Sequence, residues 1–132
     1  MIQLPRKIVS AIIQQALAEL PNEACGLLVG KDHVVKEQFA LTNIDHSPEH
    51  FSFDPAQQFH VLRSARKNDL KIVANYHSHP STPARPSEED IRLAFDPEIL
   101  YLIVSLALDT PVLKAFRIQD GNSVEVEIDI TD

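Results

Sequence analysis

The stretch KIVANYHSHPSTPARPSEED, residues 71–90, decides how the fold is predicted. Its first part, Lys71 to His79, carries β-branched and aromatic residues and stops at Pro80, which cannot donate to a strand ladder. A proline-rich loop then leads to Ser87, a residue type that favours the N-cap of a helix. The stretch therefore predicts a strand, a loop and a short helix that ends before Pro97.

Upstream of this stretch, the chain predicts one helix and a hairpin. Apolar residues recur at helical spacing from Ile8 to Leu20 and stop at Pro21. Cys25 to Gly30 and Val34 to Leu41 are two strand-like runs that can pair. The helix positions expected to pack on a sheet are Ile8, Ile12, Ile13, Ala16, Leu17 and Leu20.

A polar loop and a second helix separate the hairpin from the central strand. The loop, Thr42 to Ser52, has the composition of an exposed, functional segment. Asp54 is expected to cap the helix, with Pro55 at its first position and Asn68 near its end. The face expected to pack inward consists of Ala56, Phe59, Leu62 and Ala65.

Strands are predicted for the rest of the chain. They are Leu100 to Leu106, Val112 to Ile118 and, after a turn at residues 120–121, Val124 to Ile130. Some of the predicted strands thus follow one another directly in the chain, and others are separated by a helix. This order predicts an α/β fold, a mixed sheet flanked by helices, in a single domain of residues 1–132.

The composition restricts the possible partners. A formal net charge of -7 without a Lys/Arg run argues against a nucleic acid or an anionic membrane and favours a protein or peptide. The single cysteine, Cys25, fits a reducing compartment, so a cytoplasmic protein is expected. Because Ile8 to Leu20 is apolar on one face only, it predicts neither a signal peptide nor a membrane span. No feature predicts the oligomeric state.

His77 and His79 suggest a metal site. They lie two apart on a predicted strand, so both imidazoles point to one face, and Asp90 in the next helix is the expected third ligand. Two imidazoles and a carboxylate suit zinc and leave one coordination position open. Water there would have its pKa lowered from about 15.7 toward ~7. Glu23, just before the hairpin, is the candidate base if the hairpin neighbours the histidine strand.

These residues also have ordinary structural explanations. Ser87 and Asp90 have the spacing of a capping box, in which two side chains satisfy the first N–H groups of a helix. The two histidines alone are compatible with plain strand surface. The short distance along the chain between the histidines and Asp90 favours the metal site. Ser87 can cap the helix while its hydroxyl polarises a substrate carbonyl.

Taken together, these motifs resemble the JAMM, or MPN-plus, metalloproteases. That family has an upstream glutamate, then His-Ser/Thr-His-Pro, a short loop and Ser-x-x-Asp. This chain has Glu23, His77-Ser78-His79-Pro80 and Ser87-Glu88-Glu89-Asp90, with seven residues between the second histidine and the serine. The similarity extends over residues 23–30 and 51–55. The resemblance implies zinc ligands at His77, His79 and Asp90, a general acid/base at Glu23, and a residue at Ser87 that stabilises the tetrahedral intermediate.

The resemblance also implies a fold and a substrate class. The family fold is similar to that of the cytidine deaminases, but this chain lacks their Cys-x-x-Cys signature, so deamination is not expected. The chain is similar to short stand-alone prokaryotic members, some of which trim residues, including cysteine, from the C-terminus of ubiquitin-like sulfur-carrier proteins. An extended Gly-Gly tail is therefore the expected substrate. The alternatives are a non-catalytic MPN-like scaffold and a metallopeptidase that acts on other peptides.

The other potentially reactive side chains have simpler interpretations. Cys25 begins an apolar strand and is expected to be a small buried hydrophobe rather than a nucleophile. His46, His50 and His60 are expected on the surface or in loops, with His46 and His50 as candidates to border a substrate groove.

Overall fold

The computed structural model describes residues 1–132 as an eight-stranded mixed sheet with three helices. The elements are β1 (Ile2–Pro5), α1 (Arg6–Glu19), β2 (Cys25–Lys31), β3 (Val34–Leu41), α2 (Pro55–Lys67), β4 (Lys71–His79), α3 (Glu88–Arg92), β5 (Leu100–Ser105), β6 (Val112–Gln119), β7 (Asn122–Val126) and β8 (Ile128–Thr131). The strand order is β7-β6-β5-β4-β2-β3-β1-β8, and both parallel and antiparallel pairs occur. The predicted mixed α/β fold and the β2–β3 hairpin are confirmed.

The sheet curls around α1, which the sequence did not predict. Only Glu127 separates β7 from β8, yet these strands stand at opposite ends of the strand order, so the two edges of the sheet approach each other. The prediction of one strand from Val124 to Ile130 is therefore wrong. Its second half leaves the β6 hairpin and pairs in parallel with β1, a strand that the sequence analysis missed.

The α1 helix packs by a narrower stripe than its apolar pattern predicts. Ile8, Ile12 and Ala16 are buried at the centre of the largest core cluster. Leu17 is exposed, and so is Leu20, which follows the last residue of the helix. None of the three helices has the length and apolar character needed to cross a membrane.

The α2 helix lies on the opposite face of the sheet. As predicted, Asp54 caps it by accepting from two backbone N–H groups, and a proline occupies its first position. The predicted packing face is wrong in part: Val61 and Ala65 are buried, whereas Phe59 is 58% exposed. The Arg63 guanidinium lies 5.9 Å from the Phe59 ring centre on the outside of the helix.

Strand β4 lies between β2 and β5 and presents different residues to the two faces. Tyr76 belongs to the core cluster around α1, and its hydroxyl donates to Gln15 of that helix. A Cβ at Gly26 on the neighbouring strand would collide with the Tyr76 ring, so glycine is required there. Because side chains alternate along a strand, His77 and His79 point to the other face, toward α2 and α3.

Candidate metal centre

The C-terminal end of β4 brings three ligand atoms together. His77 Nε2 lies 3.1 Å from His79 Nε2, and each of these nitrogens lies 3.1 Å from Asp90 Oδ2. All three side chains are largely withdrawn from solvent, with 3%, 6% and 15% of their surface exposed. Ligand atoms on one face of a tetrahedral coordination shell stand about 3.3 Å apart when each is about 2.0 Å from the metal. The triangle therefore has the size to hold a metal ion.

The rings of both histidines are held by contacts behind the triangle. His79 Nδ1 donates to the Pro83 carbonyl over 2.9 Å, which leaves the Nε2 lone pair directed at the other two ligand atoms. His77 stacks on Phe51, with the ring centroids 4.5 Å apart and the planes 22° from parallel. Phe51 belongs to the stretch 51–55 that resembles JAMM proteins, but its contact with His77 was not predicted, because no spacing rule connects a loop residue to a strand that begins twenty residues later.

Asp90 both caps α3 and faces the histidines. The predicted capping box is present: Asp90 N–H donates to Ser87 Oγ, and Ser87 N–H donates to Asp90 Oδ2, each over 3.0 Å. Although burial alone would raise the pKa of Asp90, its close contacts with the His77 and His79 imidazoles hold that pKa far below its ordinary value. Burial lowers the pKa of His77, whereas at His79 the contacts with Asp90 and the Pro83 carbonyl outweigh burial and raise the pKa. Neutral imidazole and ionised carboxylate are the forms that bind metal ions.

Glu23 lies beside this triangle, as the sequence required for its proposed role. β2 pairs antiparallel with β4, with Cys25 opposite His77, and the pairing continues through Ser78, whose N–H donates to the Ala24 carbonyl. Continued two residues beyond the first residue of β2, this register would bring Glu23 opposite His79, whose charge partly offsets the rise that burial causes in the pKa of Glu23. Residues directly opposite in an antiparallel pair share one face of the sheet, so the Glu23 side chain is on the face that carries the histidines.

The environment of Glu23 suits a proton carrier. Its side chain is 5% exposed, and burial raises its pKa to about 8. Its backbone is fixed by hydrogen bonds at both ends: the N–H donates to the Ser47 carbonyl, and the carbonyl accepts from Asn43. A carboxyl group with a pKa near neutrality, in a fixed position beside a candidate metal centre, matches the requirements of a general acid/base.

A groove with a volume of about 880 Å³ begins at His77 and Asp90 and follows β4 toward Lys71. Its walls are mostly apolar and include Phe51 and Leu93. His46 and His50 do not line it; His50 Nδ1 instead lies 2.6 Å from Glu89 at the start of α3. Cys25 is fully buried, as expected.

Comparison with known proteins assigns the chain to a family. Residues 5–119 match the model of the prokaryotic homologs of the JAB domain, Prok-JAB. The chain belongs to the Prok-JAB family. The fold agrees with this assignment, and the resemblance to JAMM proteins drawn from the sequence motifs is confirmed.

Curated relatives of this Prok-JAB protein are named as peptidases. The CysO-cysteine peptidase of Mycobacterium tuberculosis is 32% identical over 128 residues, which cover 95% of this chain and 88% of the relative. The probable TtuB-protein conjugate cleaving protease of Thermus thermophilus is 29% identical over 126 residues, which cover 95% of this chain and 81% of the relative.

Solved structures share the fold of this Prok-JAB chain. A solution structure from Desulfitobacterium hafniense is 47% identical, with a TM-score of 0.91 over 100% of this chain and 94% of that one. A structure described as a JAMM metalloprotease-like zinc site in the proteasome and signalosome is 25% identical, with a TM-score of 0.61 over 100% of this chain and 99% of that one.

Proposed function

We propose that residues 1–132 form a single zinc-dependent peptidase domain that hydrolyses a peptide or isopeptide bond. The observation that carries the proposal is the triangle of His77, His79 and Asp90, with 3.1 Å sides, beside the buried Glu23. In this proposal the first three residues hold zinc, Glu23 is the general acid/base, and Ser87 stabilises the developing oxyanion.

The donor set fits zinc. Two imidazole nitrogens and one carboxylate oxygen leave a fourth tetrahedral position open, which is the arrangement of catalytic rather than structural zinc sites. When bound there, zinc polarises a carbonyl and lowers the pKa of its water toward ~7. The hydrogen bond from His79 Nδ1 to Pro83 fixes the ring in the tautomer that presents Nε2 to the metal.

Glu23 moves the proton. Its pKa, raised to about 8 by burial, falls when a cation binds nearby, so the carboxylate is ready to accept a proton from the attacking water. The same carboxyl group then donates that proton to the leaving amine, which must be protonated before the C–N bond breaks. The fixed backbone of Glu23 keeps it in place for both transfers.

Ser87 stabilises charge on the scissile carbonyl oxygen. Its Oγ accepts the Asp90 N–H, so the hydroxyl hydrogen is not used by this bond and can point toward substrate. A donor at the point where negative charge develops stabilises the transition state more than the ground state. The helix cap fixes the position of the hydroxyl relative to Asp90.

The substrate proposed is the C-terminal tail of a ubiquitin-like sulfur-carrier protein, from which this chain would trim one or more residues, cysteine among them. Two features support this substrate. Relatives that match 95% of this chain are named for cleaving CysO-cysteine and TtuB–protein conjugates. The groove that begins at His77 and Asp90 has a volume of about 880 Å³ and follows β4, the place where an extended tail would lie.

The test uses zinc-loaded protein and a ubiquitin-like carrier that bears extra residues after its Gly-Gly terminus. Mass spectrometry should show loss of those residues with the wild type and no loss with Glu23→Gln, while both proteins contain about one zinc ion per chain. An unchanged carrier after incubation with the wild type would contradict the proposal. Equal turnover by the two proteins would remove Glu23 from it. A non-catalytic scaffold would give no product with either.

A further inference from the structure

The groove divides one face of the sheet into two parts. On the α1 face the buried side chains form one large cluster, whereas on the other face they form two separate clusters. The groove lies between these two clusters, with residues of β4 and β5 along its floor, among them Asn75, His77 and Ile103. Side chains of the protein do not fill the space between these two clusters. This space is continuous with the candidate metal centre.

Two buried polar atoms on the floor of the groove have no partner within the protein. Asn75 Oδ1 and His77 Nδ1 are the buried side-chain polar atoms that make no hydrogen bond. Both residues line the groove and lie on the same face of β4, two residues or about 6.6 Å apart. Because buried polar atoms are almost always paired, these two atoms need partners that the chain itself does not supply, either an ordered water or a ligand in the groove.

Asn43 is an example of an asparagine with a structural role in this fold. Its amide makes four hydrogen bonds: it donates to the carbonyls of Glu23 and His50 and accepts from the N–H groups of Asp45 and Ser52. Asn75 makes no such bond with its oxygen. Replacing a half-buried amide whose oxygen is unpaired by an apolar group of similar shape can be neutral or stabilising, so the Asn75 oxygen gives the free protein no evident advantage.

We propose that Asn75 is a substrate-positioning residue: its side-chain amide hydrogen-bonds the main chain of an extended peptide in the groove, about two residues from the scissile bond. The inference rests on the proposed peptidase function. Apolar lining residues such as Phe51 and Leu93 accept side chains, whereas main-chain groups of a peptide need polar partners on the floor of the groove. An amide carries both a donor and an acceptor, as a peptide group does, and the spacing from His77 equals two residues of extended chain.

The first measurement is the thermal stability of the free protein. Asn75→Leu should have a melting temperature equal to or above that of the wild type, because it removes a buried amide oxygen that has no hydrogen-bond partner in the protein. Asn43→Leu is the contrast, and its melting temperature should fall by several degrees, because it breaks four hydrogen bonds. A comparable fall for Asn75→Leu would show a structural role and overturn the proposal.

The second measurement is peptide affinity without turnover. The probe is a hexapeptide of three apolar residues followed by Gly-Gly-Cys, titrated into zinc-loaded Glu23→Gln by calorimetry. Adding Asn75→Leu should weaken binding about tenfold, which corresponds to one lost hydrogen bond. Asn122→Leu, at an exposed turn away from the groove, is the matched control and should not change the affinity.

A scan of the probe then separates direct contact from indirect effects. Each main-chain amide is replaced in turn by an ester, which deletes one N–H and weakens a carbonyl acceptor. At one position of the peptide, the ester should weaken binding about tenfold to the protein that retains Asn75 and have no effect on binding to the Asn75→Leu protein. Additive losses at every position, or no binding of the probe at all, would overturn the proposal. Cleavage of the carrier by the wild type tests the peptidase function independently of these outcomes.

Discussion

Phe51 lies flat against the His77 imidazole, with the two ring centroids 4.5 Å apart. His77 Nδ1 has no hydrogen-bond partner in the protein. The stacking contact therefore orients the His77 ring, as the hydrogen bond to the Pro83 carbonyl orients the His79 ring. The loop before α2 therefore helps to orient one of the candidate ligands, although it contributes no ligand atom.

Phe51→Ala should weaken zinc binding about tenfold or more, because contacts that orient a ligand typically change metal affinity by that amount. Competition with a chromogenic chelator measures the affinity. Phe59→Ala is the matched control, since Phe59 is 58% exposed on the outside of α2. Equal affinities for the Phe51→Ala protein and the wild type would show that the stacking does not orient the ligand.

Removal of the metal should lower thermal stability through the three ligands. A ligand that binds only the folded state stabilises it by about 4 kcal/mol when its concentration is a thousand times the dissociation constant. A strong chelator should therefore lower the melting temperature of the wild type but not that of His77→Ala or Asp90→Asn, which should contain no zinc by elemental analysis. Asn at position 90 keeps an oxygen for the Ser87 N–H, so the helix cap is retained.

His60→Ala provides the comparison for the ligand variants. His60 is exposed on α2 and lies outside the triangle, so this variant should bind zinc and respond to the chelator as the wild type does. Zinc at wild-type content in His77→Ala would contradict the assignment of the ligands.

Two substitutions at Ser87 should separate capping from catalysis. Ser87→Ala removes the N-cap and should cost about 1 kcal/mol of stability, whereas Ser87→Gly should cost only a few tenths. Both variants lack the hydroxyl, so kcat should fall about 10²–10³-fold in each. If kcat followed stability, with the glycine variant close to the wild type, Ser87 would be a cap alone.

Cys25 should be unreactive in the folded protein. Burial raises the pKa of its thiol to about 12, so almost no thiolate is present at pH 8. Iodoacetamide should label the denatured chain and leave the native chain unlabelled, and Cys25→Ala should keep full turnover. Native labelling at a rate typical of an exposed thiol would contradict the buried position.

The same shift of the Cys25 pKa predicts how stability depends on pH. The folded chain retains this proton to higher pH than the unfolded chain does. Loss of the proton as the pH rises therefore favours the unfolded chain. This contribution to stability is complete below about pH 9 and is lost as the pH rises from about 9 to about 12. Urea unfolding of the wild type and Cys25→Ala across this range measures the difference.

The features predicted correctly from the sequence depend on neighbours along the chain. Strand alternation places the side chains of His77 and His79 on one face, and the capping box joins Ser87 to Asp90 within one helical turn. The Asp54 cap and the limits of β4 follow from the same local rules. These rules hold because they involve only the backbone geometry of a few consecutive residues.

The tertiary structure decided the features that depend on contacts between residues far apart in the chain. Glu23 faces His79 only because β2 pairs with β4 in one register, and a shift of one residue would turn Glu23 to the other face. No periodicity in the sequence encodes that register, the parallel pairing of β8 with β1, or the packing of Phe51 on His77. The sequence by itself determined which side chains could bind a metal; the pairing of strands far apart in the chain placed the candidate base beside them and opened the groove along β4.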